Sequence, residues 1–533
     1  MGVQTRRIGD VGVAPLVGNE ESEEALWLGA LFGKLLTEHL SGAGLPTRDY
    51  NIVARQIAAA KHPLPLDATS IEALRNTLKL DALVHGRYVV YDQGRMLGLQ
   101  LIISAPDIPP APLEVSFPAG SFALFVERIT LALVERLAVP VDDALRQQVK
   151  ALPRPASFEA FRQVAQARAA WARGEKELAL AAVGSALTLD PDYEEAANIE
   201  VAIARAANDA TTAQDAFRRW AAIAVKRGRF SVGAERLMLL GHWLRERGEW
   251  TQAQRAYEDA RILYEREDNA IGVARALNNM ATLDLLGGRV QDAIKTFRRN
   301  LRLFESSHDA QQDVAITYFN LSLAHKQLGQ REQAVEALEK AYNLAVRVKD
   351  AGLQAHCLAQ RGALHDDAGE WVRAEADYAQ AGRLLDALGD EMAVAIIKSR
   401  QAVLYKRQGQ YERAETLMLE ALETLEQQPD PHERAVVWLN LADLYFAMGL
   451  HDQAWSYAQQ AEEAFARLQS GWVARAEELV ATLEDIIERG ETPPSPAGRG
   501  LAPPSSLAKA EEDDSEGLYN DNESYDNEST GES

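Results

Sequence analysis

Three asparagines occupy the same place in three similar segments of the chain. Asn279, Asn320 and Asn440 each stand nine residues before a glycine, in ALNNMATL, YFNLSLAH and WLNLADLY. Asparagine is unfavourable inside a helix because its amide competes for backbone hydrogen bonds. The amide offers donors and an acceptor, so it can bond an extended peptide backbone. We predict that these amides contact a peptide; the alternative is that each bonds the neighbouring segment and keeps the segments in register.

Other side chains on the same stretches are candidates for ligand contact. The positions equivalent to the asparagines in two further segments hold Gln360 and Arg400. The remaining candidates lie on the same predicted helices: Arg275, Phe319, Lys326, Lys406 and Arg407, with His242 and Arg245 near the first glycine. Arg400, Lys406 and Arg407 would form a basic patch suited to an acidic ligand segment. The alternative is that these cations lie on a solvated helix face.

The sequence shows no motif for catalysis or for a cofactor. It contains no phosphate-binding glycine loop, no HExxH, no GxSxG and no paired CxxC. No two of its ten histidines stand four residues apart, which disfavours a zinc site on a helix. The single cysteine, Cys357, lies in an amphipathic stretch and is expected to be a buried apolar residue. We therefore expect no cofactor, no metal and no enzyme, although residues that meet only in the folded chain could still form a catalytic site.

The candidate residues belong to a repeat of about 40 residues. Six segments carry a glycine followed five residues later by an alanine, with a spacing of 40 residues and one step of 41. The glycines are Gly248, Gly288, Gly329, Gly369, Gly409 and Gly449, and the alanines are Ala253, Ala293, Ala334, Ala374, Ala414 and Ala454. Glycine can take the left-handed conformation that ends a helix, and alanine lets a second helix pack closely. The pattern predicts a series of helical hairpins.

This pattern resembles the tetratricopeptide repeat family over residues 157–490. An earlier unit matches through Gly174, Ala179, Ala186 and Pro191, and residues 193–228 form a degenerate unit. The resemblance implies a mainly α fold, an α-solenoid over residues 157–470 with about seven or eight hairpins. Residues 471–490 would cover its open end as a capping helix.

The length of the units is similar to a 40-residue subclass found in kinesin light chains and in bacterial peptide-sensing regulators. In that subclass the first helix of each hairpin lines a concave groove, and asparagines at the position described above contact peptides. The resemblance thus implies that Asn279, Asn320, Asn440 and their neighbours bind partner proteins or extended peptides.

Residues 1–150 follow a different pattern, which predicts a small α+β domain. We expect a strand at VGVAPLVG, a long helix over residues 20–41, and a second helix with Thr69 as its N-cap. Two strands separated by Gln93 and Gly94 form a predicted hairpin, and a further strand at PLEVSF precedes a helix. The order resembles the TolB amino-terminal type of domain, which in bacteria often precedes these repeats and contacts proteins.

The charge of the chain restricts its partners. The formal net charge is −23, which disfavours nucleic acid and anionic membranes as partners. Residues 491–533 hold eleven acidic and two basic residues and are predicted to be a disordered tail. The sequence lacks a convincing export signal or membrane helix, so we expect a cytoplasmic protein.

These observations favour a non-enzymatic scaffold that binds partner proteins or peptides, including acidic segments, in the groove. One alternative is a peptide- or ligand-sensing regulator. Another is an enzyme with a site in the N-terminal domain, which a polar pocket with convergent ionisable residues would favour. The sequence leaves the partner and the oligomeric state open.

Overall fold

The computed structural model describes residues 9–92, 95–106, 108–304, 310–426, 431–468 and 472–489. The chain divides into two compact units, residues 1–240 and 241–533, here called unit 1 and unit 2. The predicted acidic tail and the Gln93–Gly94 turn lie outside the described residues.

Unit 1 begins with a four-stranded sheet and its covering helices. The strands are β1 Val11–Val13, β2 Ala82–Tyr91, β3 Met96–Ser104 and β4 Leu113–Pro118. The helices around them are α1 Glu23–Gly42, α2 Tyr50–Ala59, α3 Ala68–Leu78, α4 Phe122–Arg136 and α5 Asp143–Ala151. The sheet order is β1-β2-β3-β4, with β1 parallel to β2 and the other pairs antiparallel.

The sequence accounts for most of these elements. The long strands alternate: in β3, side chains such as Leu97 and Leu99 are buried while Gln100 is exposed. The predicted N-cap of α3 is wrong, because the Asp67 carboxylate accepts the Ser70 N–H at 2.7 Å and the helix already includes Thr69. Asp67 stands three residues before Ser70, the spacing of an N-cap bond.

Helical hairpins follow the sheet within unit 1. They comprise α6 Phe158–Ala172 with α7 Lys176–Leu189, then α8 Glu194–Ala206 with α9 Ala210–Lys226, and α10 Phe230–Glu246, within which the two units divide. The core of unit 1 continues past Pro153 and Pro155 into the first hairpin. Phe32 of α1 lies 4.9 Å from Phe161 of α6, ring centre to ring centre, within one continuous cluster of buried side chains.

Unit 2 is a stack of helical hairpins. Its helices are α11 Trp250–Glu265, α12 Ala270–Leu286, α13 Val290–Phe304, α14 Gln311–Gln327, α15 Arg331–Val348, α16 Ala351–Asp367, α17 Trp371–Leu388, α18 Glu391–Arg407, α19 Tyr411–Glu426, α20 Pro431–Ala447, α21 His451–Leu468 and α22 Val473–Arg489. Each of α12, α14, α16, α18 and α20 packs against the helix that follows it, and α22 packs on α21.

The marker glycines and alanines of the repeats have the conformation and the burial that the sequence pattern predicts. All six marker glycines have positive φ between 66° and 77°, and all six marker alanines are completely buried. Asn300 takes a position where the other repeats have alanine. It too is completely buried, and its Nδ2 donates to the Ala274 carbonyl at 3.1 Å. The predicted class, a mainly α stack of hairpins preceded by a small α+β region, is confirmed.

Candidate binding surface on the first helices

The first helices of the hairpins in unit 2 carry the predicted contact residues. We call the equivalent positions on α12, α14, α16, α18 and α20 the polar row: Asn279, Asn320, Gln360, Arg400 and Asn440. Successive first helices contact each other, as α12 and α14 do and as α18 and α20 do. The row therefore runs from hairpin to hairpin along one side of the stack.

The asparagines of the polar row reach the preceding hairpin. Asn320 Nδ2 donates to Thr282 Oγ1 at 3.4 Å, and Asn440 Nδ2 donates to Ser399 Oγ at 3.3 Å. The side chains of Asn279 and His242 are also hydrogen-bonded. This geometry matches the alternative in which each amide keeps its repeat in register with the previous one.

Exposure divides the polar row into two groups. Asn320 and Gln360 are only 3% and 5% exposed, whereas Asn279, Arg400 and Asn440 are half-buried and reach the surface. Asn320 Oδ1 and Gln360 Nε2 are buried, and neither has a hydrogen-bond partner among the described residues. A ligand on this side would therefore meet Asn279, Arg400 and Asn440 first.

The cations named from the sequence pair with acids on neighbouring first helices. Arg275 of α12 donates two hydrogen bonds to Asp313 of α14, at 2.7 and 2.9 Å. The carboxylate of Asp313, which accepts both bonds, is almost completely buried. This bidentate pair ties two first helices together.

Three more ion pairs also join neighbouring first helices. Lys326 lies 3.8 Å from Asp367, Arg407 lies 3.2 Å from Asp366, and Lys406 lies 3.9 Å from Asp443. Each pair joins neighbouring first helices, and Asp443 also pairs with Arg475 of α22 at 3.0 Å. Of the basic patch expected from the sequence, Lys406 and Arg407 therefore have acids nearby, and Arg400 has none within 4.0 Å among the described residues. The acids at 313, 366, 367 and 443 carry the missed signal, because they lie on first helices next to those of the cations.

Arg400 differs from these paired cations. No carboxylate of the described residues lies within 4.0 Å of its guanidinium. Its charge acts on two neighbours instead. Burial, and then Arg400, lower the pKa of His356, and Arg400 also opposes the rise that burial causes in the pKa of Tyr378. Arg400 is thus a half-buried cation between Gln360 of the preceding first helix and Asn440 of the next.

Two of the other candidates belong to the interior. Phe319 is 1% exposed and packs in the core of unit 2, so its place among surface candidates is corrected. It precedes Asn320 by one residue, and a rotation of about 100° per residue carries it to another face of the helix. His242 is 6% exposed, and burial, with the charge of Arg245, lowers its pKa to about 3.

Two features are absent from the described residues: a cluster that could hold a metal ion and a helix that could span a membrane. No group of three or more His, Cys, Asp or Glu in this part of the chain is arranged to hold a metal ion. None of the described helices combines the length and apolar character needed to span a bilayer. Cys357 is 1% exposed, and burial raises the pKa of its thiol, as expected for a packing residue.

The fold and the repeat geometry define a protein built on stacked helical hairpins. Residues 234–306, 272–345 and 393–467 match a family model of the tetratricopeptide repeat. The chain therefore contains tetratricopeptide repeats. A search of curated proteins returned no match.

Several solved structures are similar in fold. BtubC (BKLC) from P. vanneervenii is 20% identical, and the match covers 50% of this chain and 97% of that one, with a TM-score of 0.33. The apo form of RapI is 13% identical over 52% of this chain and 98% of its own, with a TM-score of 0.42. A Rap protein complexed with competence and sporulation factor is 13% identical over 63% of this chain and 100% of its own, with a TM-score of 0.39.

Proposed function

We propose that the chain is a non-enzymatic scaffold whose repeats bind an extended, acidic segment of a partner protein along the first helices of unit 2. The observation that carries this proposal is Arg400, a half-buried guanidinium in a row of amide side chains, with no acidic partner among the described residues. Lys406 and Arg407, on the same helix, each lie within 4.0 Å of a carboxylate. A carboxylate of the ligand would supply the missing partner.

The physical chemistry favours this occupant. A guanidinium presents five N–H donors in a planar fork that matches a carboxylate. A hydrogen bond to a charged group contributes roughly 1.5–3 kcal/mol, more than one between neutral groups. Since Arg400 is partly withdrawn from water, a carboxylate would be held there more strongly than on an open surface.

The half-buried amides of the polar row would hold the peptide backbone. Asn440 uses one N–H on Ser399, which leaves its second N–H and its Oδ1 for a ligand. Asn279 is half-buried in the same way and bonds His242. The two interpretations of the asparagines are therefore compatible, because one amide can fix the neighbouring repeat and contact a peptide.

An acidic segment is also present in the chain itself. Residues 511–528 read EEDDSEGLYNDNESYDNE. We propose that this tail competes with partners for the first helices. A chain shortened after Ser495 should then bind an added acidic peptide more tightly than the full chain does, and equal affinities would remove the tail from the proposal.

The test is a titration of the full chain and of the chain shortened after Ser495 with a labelled peptide of residues 511–528, followed by fluorescence anisotropy. Arg400→Gln should weaken binding at least tenfold, because it removes the charge but keeps the length of the side chain. The matched control is Arg383→Gln, which alters an exposed arginine on the second helix α17. A peptide with every Asp and Glu replaced by Asn and Gln should not bind. If Arg400→Gln leaves the affinity unchanged, the proposal fails.

A further inference from the structure

Unit 1 contains a cavity of about 400 Å³. It is lined by α1, by the chain between α5 and α6, by the start of α8 and by residues of α9 and α10. Its volume lies within the range of about 300–1,000 Å³ that is usual for small-molecule sites. Part of the wall is apolar, through Leu31, Leu35, Leu152, Pro153, Phe161 and Trp220.

Three arginines meet on one carboxylate at this cavity. Glu194, in the first turn of α8, accepts hydrogen bonds from Arg227 at 2.5 Å, from Arg236 at 2.7 Å and from Arg229. Arg227 and Arg229 flank the glycine between α9 and α10, and Arg236 lies in the second turn of α10. We call these three residues the arginine cluster.

The charges of the arginine cluster exceed that of the carboxylate its members share. Three guanidiniums bind Glu194, and Glu235 of α10 also acts on Arg236, so an excess of positive charge remains there. Arg229 Nε is buried and has no hydrogen-bond partner among the described residues. Burial, and then the charge of Arg227, lower the pKa of Arg236 to about 10, and burial and Arg236 lower that of Arg229. The arginines thus repel one another.

The other acids at the cavity do not supply this charge. Glu195 binds Lys34 at 3.1 Å and Arg168 at 2.5 Å, and Asp192 pairs with Lys226. Glu38, on α1, is the fourth lining carboxylate and acts on Tyr193, whose pKa is raised by burial, Glu195 and Glu38. The excess of positive charge therefore stays with the arginine cluster.

We propose that this cavity binds a small phosphate monoester, with its phosphate on the arginine cluster and its organic part against the apolar wall. A phosphate monoester carries nearly two negative charges at neutral pH, which would offset the excess of positive charge on the cluster. Its oxygens accept the paired donors of guanidinium groups. The ring of Trp220, with Arg236 4.5 Å above it, would adjoin the organic part.

The ionisable groups at the cavity favour binding over catalysis. Burial lowers the pKa of His39 to about 4, and its Nε2 is hydrogen-bonded to the Pro153 carbonyl at 3.0 Å. Burial alone would raise the pKa of Glu195, but Lys34 and Arg168 outweigh it and lower the pKa to about 2. Neither group changes its protonation near neutral pH, as a general acid or base would need to do.

Isothermal titration of the full chain with phenyl phosphate and with benzoate at pH 8 tests the proposal. Phenyl phosphate should bind at least tenfold more tightly than benzoate, because its phosphate carries nearly two negative charges at this pH and benzoate carries one. Arg229→Gln should lower the affinity for phenyl phosphate at least tenfold. The matched control is Arg218→Gln, an exposed arginine on α9 that does not line the cavity, and it should keep the affinity within twofold.

A second variant separates a ligand site from a purely structural cluster. Glu194→Gln removes the carboxylate that competes for the arginines, so phenyl phosphate should bind this variant at least threefold more tightly than the wild type. Three results would each overturn the proposal: no binding of phenyl phosphate to either protein, equal binding of benzoate, or no gain of affinity in Glu194→Gln. The site lies in unit 1 and the polar row in unit 2, so failure of one test leaves the other proposal standing.

Discussion

The first helices of unit 2 and the arginine cluster of unit 1 differ in how their positive charges are paired with carboxylates. On the first helices, Arg275, Lys326, Lys406 and Arg407 each have an acid on a neighbouring helix. In the cluster, three arginines share Glu194. A matched pair can hold two helices together, whereas a surplus of positive charge adds repulsion that a bound anion would relieve.

Unit 2 itself contains both paired cations and a cation without a nearby carboxylate, Arg400. It lies among paired cations and yet has no carboxylate within 4.0 Å in the described part of the chain. The difference suggests a general rule for this molecule: paired cations keep the repeats in place, and unmatched ones mark surfaces for anionic ligands. Each prediction below changes one group on either side of this distinction.

The largest effect should come from Glu195, a carboxylate that binds Lys34 and Arg168 and so joins α8 to α1 and α6. Its pKa is lowered to about 2, from an ordinary value of 4.5, so its contribution to stability is complete above pH 4.5 and is lost as the pH falls towards 2. Glu195→Gln should reduce the free energy of unfolding by roughly 3 kcal/mol at pH 7. Thermal melting of the wild type and of Glu195→Gln between pH 7 and pH 3 measures this difference in stability, which should shrink as the pH falls. A difference that does not depend on pH would contradict the lowered pKa of Glu195.

A somewhat smaller loss is expected at Asp377 in unit 2. This buried carboxylate accepts hydrogen bonds from Arg361, at 2.6 and 3.1 Å, and lies 2.9 Å from His365 Nδ1. Asp377→Ala leaves both without their acceptor and should cost roughly 2–3 kcal/mol. Asp386→Ala, an exposed change on the same helix, is the control and should alter the melting temperature by less than a third as much. Equal losses of stability in the two variants would mean that the hydrogen bonds of Asp377 to Arg361 and His365 do not stabilise the fold.

The asparagine contacts should give an intermediate effect. Asn320→Ala removes the hydrogen bond to Thr282 and should lower stability by about 1 kcal/mol. The exposed Asn343, on the second helix α15, provides the control through Asn343→Ala. Unfolding in denaturant measures the free energy of unfolding of both variants, and only Asn320→Ala should lower it. If Asn320→Ala weakens peptide binding without changing stability, the register role is wrong and the contact role stands alone.

The smallest change in stability is expected in the arginine cluster. Arg229→Gln removes one of three mutually repelling charges, so the unfolding free energy should stay within ~0.5 kcal/mol of the wild type or rise. Thermal melting in a buffer without phosphate checks this. A loss as large as that of Asp377→Ala would show that the cluster is a structural element like the pairs of unit 2.

The sequence predicted the repeats well because their marker residues act locally. A glycine that ends a helix and an alanine beneath a neighbouring helix can be recognised from type and spacing alone, and both behave as expected at Gly329 and Ala334. The helices α2 and α5 were missed, since each is short and lacks a long apolar period. The parallel pairing of β1 with β2 was missed too, because strand order depends on distant parts of the chain.

The candidate surface was predicted less completely. The polar row could be found from its spacing, but the partners of Lys406 and Arg407 could not, because Asp443 and Asp366 come close only when the hairpins stack. The burial of Phe319 depends on the rotation of one helix, which a repeat pattern does not give to a single residue. The arginine cluster escaped notice because Arg236 is brought to Glu194 by the fold across 42 residues of sequence.

The central claim, that Arg400 anchors an acidic segment, is tested most directly by exchanging charges. The full chain and its Arg400→Glu variant are titrated with the peptide of residues 511–528 and with a peptide in which every Asp and Glu is replaced by Lys. We predict that Arg400→Glu weakens binding of the acidic peptide by more than tenfold and gains binding of the lysine peptide, whereas the control Arg383→Glu changes neither by more than threefold. Equal effects of the two substitutions would mean that general surface charge, and not Arg400, attracts the segment, and the account would be contradicted.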